Sequence, residues 1–276
     1  MRRSFLPTLS AVALALALLV SLCTTATAQQ RLTLKSGTDL LRQMHDAYDG
    51  RWFRTLTFVQ RTTIARPDSA PQVSTWYEAM RSPDRLRIDF GNPSEGNGVI
   101  MTADSTYVVR GGAITRTTGQ GNPFIPFVAA VYAQPVDRTV QELEPYHIDM
   151  SRLRLDTWQG SPVYVVGARD ASDLTSPQFW VDAKRMILVR MLLPLNRGGG
   201  ARTEDIHLDK YVPLTHGWLA TKVVMYDGAI ARQTEEYSDW RSDIPLDARL
   251  FDATQWASVP HWTKTQGMRA PRDSTR

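Results

Sequence analysis

The sequence predicts an α+β fold in which helices cover the apolar face of a large antiparallel sheet. The first observation is alternation, clearest in the sequence RLRIDF at residues 85–90, where Leu86, Ile88 and Phe90 share one face and the charged residues share the other. The second is recurrence, because similar β-favouring segments run through most of the chain, separated by short polar turns. The third is one apolar helical block near mid-chain, which interrupts the strands and can cover the apolar face.

The first half of the chain is predicted to contain one helix and six strands. Ser36 or Thr38 can cap a helix over residues 36–48, and Asp39 has the spacing of a capping box. The apolar residues of this helix recur at helical intervals at Leu40, Leu41, Met44 and Tyr48. The strands are predicted at residues 56–64, 73–81, 85–90, 98–102, 105–110 and 113–117, with a loop at 66–71.

The second half begins with the apolar block and returns to strands. Residues 124–132 have the spacing of a helix with a wide apolar face, Pro135 ends it, and residues 136–143 form a second helical piece. Strands are predicted at residues 153–158, 162–169, 178–182, 187–193, 202–211, 218–226 and 230–240. Phe251 and Trp256 are predicted to anchor the C-terminal segment.

The two ends of the chain are predicted to lie outside the folded domain. Residues 1–28 have the pattern of a secretory signal, with Arg2 and Arg3 before an apolar core and the small residues ATA at 26–28 before the cleavage point. These small residues favour cleavage over a retained membrane anchor, and Leu22 before Cys23 argues against a lipoprotein signal. We therefore expect a single domain over residues 29–262 and a polar tail over residues 263–276.

Composition narrows the possible functions. The chain has 32 lysines and arginines and 28 aspartates and glutamates. Once Arg2 and Arg3 are removed with the signal, the excess of positive charge is only two, a balance that argues against nucleic-acid binding. The single cysteine, Cys23, lies in the predicted signal. The mature domain is then expected to have no disulfide, catalytic thiol or cysteine-bound metal.

No catalytic motif is evident. The five histidines show neither H-x-x-x-H nor H-E-x-x-H spacing and are predicted to lie on the surface or in loops. Two carboxylate pairs are candidates for acid–base groups. Glu235 and Glu236 are strand neighbours and face opposite ways, and Glu142 and Glu144 are expected to be solvated near a helix end. We predict no catalytic residue, no metal and no cofactor.

The aromatic residues leave two interpretations open. The chain has 8 Trp, 9 Tyr and 8 Phe, most of which must pack in a core. Some of them, in particular those of the mid-chain helix, can instead line a cavity for an acyl chain, which needs apolar walls and few polar groups.

The order of these parts resembles the periplasmic lipoprotein-carrier superfamily, the LolA/LolB-like proteins that sort outer-membrane lipoproteins. The resemblance is carried by LLRQM at residues 40–44, LTFVQ at 56–60, WYEAMRSPDRLR at 76–87, IMTADSTYVV at 100–109 and NPFIPF at 122–127. It continues loosely in FWVD at residues 179–182 and in FD at residues 251–252. It implies a curved antiparallel sheet forming an incomplete β-barrel, whose concave apolar face is closed by a helical lid at residues 124–143.

The resemblance also implies where a ligand would bind. The expected cavity and lid residues are Phe58, Trp76, Leu86, Ile88, Phe124, Phe127, Val128, Val131 and Tyr132. Carriers have an arginine immediately before the turn proline, which helps to hold the lid shut; here that place is taken by Ser82, with Arg81 one residue earlier. Arg81 and Ser82 are therefore the lid-latch candidates, and a one-residue shift in a strand turns a side chain to the other face.

These expectations favour a non-catalytic, monomeric periplasmic carrier for acyl chains of a lipid or lipoprotein. The alternative is an envelope sensor on the same fold that binds a membrane-anchored protein partner. An exported esterase is a third possibility, with the weakest support in the sequence.

Overall fold

The computed structural model describes residues 34–196 and 201–265 of the 276-residue chain. The predicted secretory signal, the glycine-rich residues 197–200 and residues 266–276 of the predicted tail lie outside the described residues. Within the described ranges, no helix has the length and apolar character needed to cross a membrane.

The described part of the chain forms one antiparallel sheet of thirteen strands. The strands are β1 Thr55–Arg66, β2 Ser69–Arg81, β3 Arg85–Phe90, β4 Gly98–Met101, β5 Thr106–Arg110, β6 Ala113–Thr118, β7 Leu153–Trp158, β8 Ser161–Val166, β9 Gln178–Asp182, β10 Leu188–Asn196, β11 Ala201–Pro213, β12 Trp218–Asp227 and β13 Ile230–Ser242. Their order across the sheet is β6-β5-β4-β3-β2-β1-β13-β12-β11-β10-β9-β8-β7. The sheet is curved and does not close, because β6 and β7 remain at its two edges.

This strand order explains where the helical block lies. Each half of the chain is a meander of consecutive neighbours, and the halves meet where β1 pairs with β13. The two edge strands, β6 and β7, are consecutive in the chain. Residues 119–152 must therefore cross from one edge of the sheet to the other, which carries the helical block over the concave face.

The first helix, α1, spans Gly37–Tyr48. The Ser36 hydroxyl accepts a hydrogen bond from the Asp39 backbone N–H at 3.1 Å, which confirms the predicted cap. The Asp39 carboxylate accepts instead from the Lys35 N–H at 3.1 Å, so the reciprocal half of a capping box is shifted by one residue. Leu40, Leu41 and Met44 are fully buried, as the helical periodicity predicts.

The apolar block is less regular than predicted. A four-residue helix, α2 at Ile125–Val128, and a 3₁₀ turn at Ala130–Tyr132 replace the continuous helix. The helix breaks because the Val128 carbonyl accepts a hydrogen bond from the Trp52 indole N–H at 3.0 Å, and the Tyr132 hydroxyl donates to the Met186 carbonyl at 2.9 Å. The second predicted piece is present as α3, Val136–Leu143, which begins directly after Pro135.

The predicted loop at residues 66–71 is largely strand. β1 and β2 continue to the pair Arg66–Ser69, leaving only a tight turn between them. Pro71 is tolerated inside β2 because β3 begins to pair with β2 only at Trp76, so the free side of the strand near Pro71 needs no backbone donor.

The convex face carries a buried charged cluster that the alternation did not predict. Arg87 and Asp89 point away from the apolar face, as predicted, but they are only 2% and 0% exposed. The Arg87 guanidinium donates to both Asp89 oxygens at 2.8 and 2.9 Å and lies 3.7 Å from the ring centre of Trp256. The buried side chains Phe251 and Trp256 belong to the C-terminal segment, which packs here as the predicted anchor.

One histidine of this cluster corrects the expectation of surface histidines. His261 is buried, and its Nε2 lies 3.1 Å from an Asp89 oxygen while its Nδ1 lies 2.8 Å from the Thr263 hydroxyl. Thr263 is itself buried and belongs to the last helix, α4, at Trp262–Thr265. The ordered C-terminal anchor thus extends past the predicted start of the tail.

Candidate functional site

A cavity of about 960 Å³ lies between the concave face of the sheet and the segment at residues 124–143, which we call the lid. Side chains from β1 to β4 and from β10 to β13 form its floor, and residues of the lid form its roof. The walls are mainly aliphatic and aromatic.

All but one of the predicted cavity residues line this space. The sheet contributes Phe58, Trp76, Leu86 and Ile88, and the lid contributes Phe124, Phe127, Val128 and Tyr132. Val131 is fully buried but does not line the cavity. The 3₁₀ turn accounts for this, because successive side chains on such a turn point about 120° apart, and Tyr132 takes the cavity direction.

Some of the lining residues also belong to the packed core. Phe127 is 1% exposed and lies 4.7 Å, ring centre to ring centre, from Phe179. Phe124 and Val128 are only half-buried. A substitution at Phe127 would therefore disturb folding together with the cavity wall.

Trp52, which the sequence did not single out, closes one end of the cavity. Its indole stacks on the Tyr132 ring at 3.7 Å, and the Tyr48 ring meets both of them edge-on. The Tyr48 hydroxyl accepts a hydrogen bond from the Trp218 indole at 2.9 Å and donates to the Arg185 carbonyl at 2.6 Å. This aromatic cluster joins α1, the lid and the floor of the sheet.

The two lid-latch candidates contact other parts of the molecule. The Arg81 guanidinium lies 5.3 Å from the ring centre of Phe251, on the side of the sheet covered by the C-terminal segment. The Ser82 hydroxyl donates to the Phe53 carbonyl at 2.8 Å.

An ion pair between the lid and the β2–β3 turn lies close to these residues, with the arginine on the lid and the acid in the turn. Arg138 on α3 pairs with Asp84, two residues after Ser82 in the β2–β3 turn, at 3.2 Å. Arg138 also pairs with Glu142 at 3.2 Å, and Glu142 accepts a hydrogen bond from the Gln134 amide at 2.9 Å. Glu142 is only 10% exposed, so the expectation that it is solvated was wrong. As part of α3 it belongs to the roof and lines the cavity.

The carboxylates of the cavity floor were not predicted as site residues. Glu235 faces the cavity while Glu236 faces outwards to Arg61, which agrees with the predicted opposition of strand neighbours. The Glu235 carboxylate accepts hydrogen bonds from the Tyr237 hydroxyl at 2.7 Å and from the Gln233 amide at 2.6 Å. Burial raises the pKa of Glu235, and these hydrogen bonds oppose the rise.

Glu78 lies in more apolar surroundings. It is opposite Phe58 on β1 and Ile88 on β3, and it is 5% exposed. Among the described residues, none donates a hydrogen bond to its carboxyl group. Burial, and then the charge of Glu235, raise the pKa of Glu78 well above its ordinary value of 4.5.

This environment gives a pH-dependent prediction for the variant Glu78→Gln. A carboxyl whose pKa is raised by folding costs stability once the pH exceeds its unfolded pKa, because the unfolded chain then gains by ionising. The variant removes that cost. We expect Glu78→Gln to be more stable than the parent at pH 7, because glutamine does not ionise in the unfolded chain, and the gain to shrink towards zero below about pH 4.5.

Urea denaturation of both proteins from pH 4 to pH 8 measures this difference. A gain that is constant with pH, or a loss of stability at pH 7, would contradict the assignment of Glu78 as a carboxyl buried without a partner.

The described residues contain no group of three or more histidine, cysteine, aspartate or glutamate side chains placed to hold a metal ion.

Comparison with known proteins relates this architecture to solved structures only. No family model and no curated protein matches the chain. A DUF1329 family protein from Desulfovibrio piger superposes with a TM-score of 0.51 at 12% identity, covering 78% of this chain and 95% of its own. A domain described as an outer membrane lipoprotein-sorting protein, from Vibrio parahaemolyticus, gives a TM-score of 0.50 at 12% identity, covering 79% and 97%.

A LolA superfamily protein from Nitrosomonas europaea gives a TM-score of 0.48 at 13% identity, covering 76% of this chain and 96% of its own. At these identities the likeness is one of fold. The described part of the chain shares the fold of the Desulfovibrio piger and Vibrio parahaemolyticus structures, an unclosed antiparallel barrel with helices over its concave face, which is the architecture that the sequence predicts.

Proposed function

We propose that the protein is a periplasmic, non-catalytic carrier that binds an acyl chain of a lipid or lipoprotein in the cavity under the lid. The observation that carries the proposal is the cavity itself, about 960 Å³ of space with mainly apolar walls inside one domain. Ligand pockets commonly measure about 300–1,000 Å³, whereas voids in a packed core seldom exceed a water molecule in size.

Hydrophobic transfer supplies the affinity. Each buried methylene group is worth about 0.8 kcal/mol, so a long chain gains several kilocalories per mole without any charged partner. Aromatic and branched side chains such as Trp76, Ile88 and Phe124 offer it contact on the floor and the roof.

The lid is the route by which such a chain would enter and leave. It consists of short, broken helical pieces, and one of its ties to the sheet is the pair of Arg138 with Asp84. Arg138 is 49% exposed, and ion pairs this exposed contribute little to stability. The α3 end of the lid is therefore the part expected to open, because Phe127 and Tyr132 in its first half are buried in the core.

The fold supports the same proposal. One of the solved structures with this fold is described as an outer membrane lipoprotein-sorting protein domain. For this chain, lipoprotein or lipid transport between the membranes of an envelope, and with it a part in outer-membrane biogenesis, is the corresponding expectation.

Tryptophan fluorescence tests whether an acyl chain enters the cavity. Trp76 lines the floor, whereas Trp158 packs on Trp180 away from the cavity. We expect a monoacylglycerol with a dibrominated chain to quench the protein's emission saturably, because bromine quenches indoles only at close contact. Trp76→Phe should reduce the quenched signal, and the matched variant Trp158→Phe should leave it unchanged.

An absence of saturable quenching would overturn the proposal. So would quenching to which Trp76 and Trp158 contribute equally, because the chain would then be binding elsewhere on the surface.

A further inference from the structure

The cavity contains a buried acid that an acyl chain alone would leave unused. Glu78 is 95% buried, it lines the cavity, and within the described ranges no side chain or backbone group hydrogen-bonds to its carboxyl. A buried polar group without a partner is costly, and native proteins seldom retain one without a reason. Because the carboxyl faces the cavity, its hydrogen-bond donor can come from water or from the polar end of a ligand.

Glu235, on the same floor, differs from Glu78 in being satisfied. It already accepts from Tyr237 and Gln233, as described above. Of the two acids, Glu78 has the unused hydrogen-bonding capacity.

The charges around the cavity indicate which polar group would fit. Glu78, Glu204 and Glu235 all line the floor. Among the described lining residues, Arg138 is the single arginine or lysine, and it is paired with Asp84 and Glu142 at the lid. A ligand carboxylate or phosphate placed on this floor would meet acids and no cation, whereas an ammonium group would meet the acid that lacks a donor.

We propose that the cavity selects cationic amphiphiles, in which a primary ammonium group at the end of an apolar chain donates its hydrogen bonds to Glu78. This inference rests on the proposed function, because it assigns the polar end of the same ligand. An ammonium is compact and carries three donors, so it can use both Glu78 oxygens while its chain occupies the apolar space.

Three chain-matched probes test the selection: dodecylamine, dodecanol and dodecanoate. Each is titrated below its micellar concentration against the protein loaded with the brominated monoacylglycerol, and recovery of tryptophan emission reports displacement. We expect the amine to bind about tenfold or more tightly than the alcohol, the scale of one hydrogen bond to a charged group, and the carboxylate to bind most weakly.

Two variants of Glu78 and one control assign the effect to this residue. Glu78→Gln and Glu78→Leu should bring the amine and the alcohol within about threefold of each other. Both should also raise the Tm of the ligand-free protein at pH 7, because each removes a buried acid that gains by ionising in the unfolded chain. Glu236→Gln makes the same change at the next residue after Glu235, on the outer face beside Arg61, and should retain the full preference.

The outcomes separate this inference from the proposed function. Equal displacement by all three probes overturns the selection by charge and leaves acyl-chain binding standing. A preference for the amine that survives in both Glu78 variants overturns the role of Glu78. If no probe displaces the monoacylglycerol, and the monoacylglycerol itself does not quench, the proposed function fails first.

Discussion

Replacing Arg87 with alanine is expected to lower the free energy of unfolding by about 3–5 kcal/mol, the cost of leaving one partner of a buried ion pair uncompensated. Asp89, which is buried, would lose two charge-assisted hydrogen bonds and keep only its contact with His261 at 3.1 Å. Trp256 would lose the guanidinium that stacks on it, which loosens the C-terminal segment as well. Urea denaturation at pH 7 measures the change.

Arg61→Ala provides the matched control. Arg61 pairs with Glu236 at 3.3 Å, but both side chains are at least half exposed, so its removal should cost no more than about 1 kcal/mol. Losses of similar size in the two variants would contradict the assignment of Arg87 as the residue that fixes the C-terminal segment to the convex face.

Filling the cavity is expected to abolish ligand binding with little cost in stability. Val223 lies on the floor beside Glu235 and Leu208, and its side chain lines the cavity. In Val223→Trp the indole should occupy the space of the acyl chain and weaken binding of the brominated monoacylglycerol at least about tenfold, a loss of roughly two buried methylene groups. The free energy of unfolding should change by less than about 1 kcal/mol, because empty space receives the added atoms.

Val73→Trp adds the same side chain at a valine that is 51% exposed and should leave binding unchanged. The opposite pattern for Val223→Trp would be unchanged binding with a free energy of unfolding lowered by about 1–3 kcal/mol. Overpacking of a filled core produces that pattern. That result would contradict an open cavity.

Much of the sheet could be predicted because apolar and polar residues alternate along its strands. In β3, the apolar side chains and the charged ones separate by parity, and β7, β9 and α3 have the predicted bounds. The lid helix was predicted too long because its break depends on Trp52, which lies 76 residues away in sequence. The Trp52 indole N–H donates a hydrogen bond to the Val128 carbonyl. Local periodicity carries no information about such a tertiary bond.

The part of the site that lies on the sheet could be predicted from the alternation of side chains along the strands. Trp76 and Glu78 share a strand face, so the parity that places Trp76 in the cavity also places Glu78 there. The sequence indicates only that Glu235 and Glu236 face opposite ways, whereas cross-strand neighbours such as Val223 determine the environment of Glu235. The burial of Arg87 and Asp89 depends on how residues 248–265 fold back over the convex face, which no local pattern specifies.

Native mass spectrometry of the full chain, purified without detergent, tests the central claim most directly. The account predicts a population heavier than the protein by the mass of one amphiphile, or uptake of one monoacylglycerol on incubation, and loss of both in Val223→Trp. A spectrum with only the ligand-free mass before and after incubation, under conditions in which the protein remains folded, would contradict it.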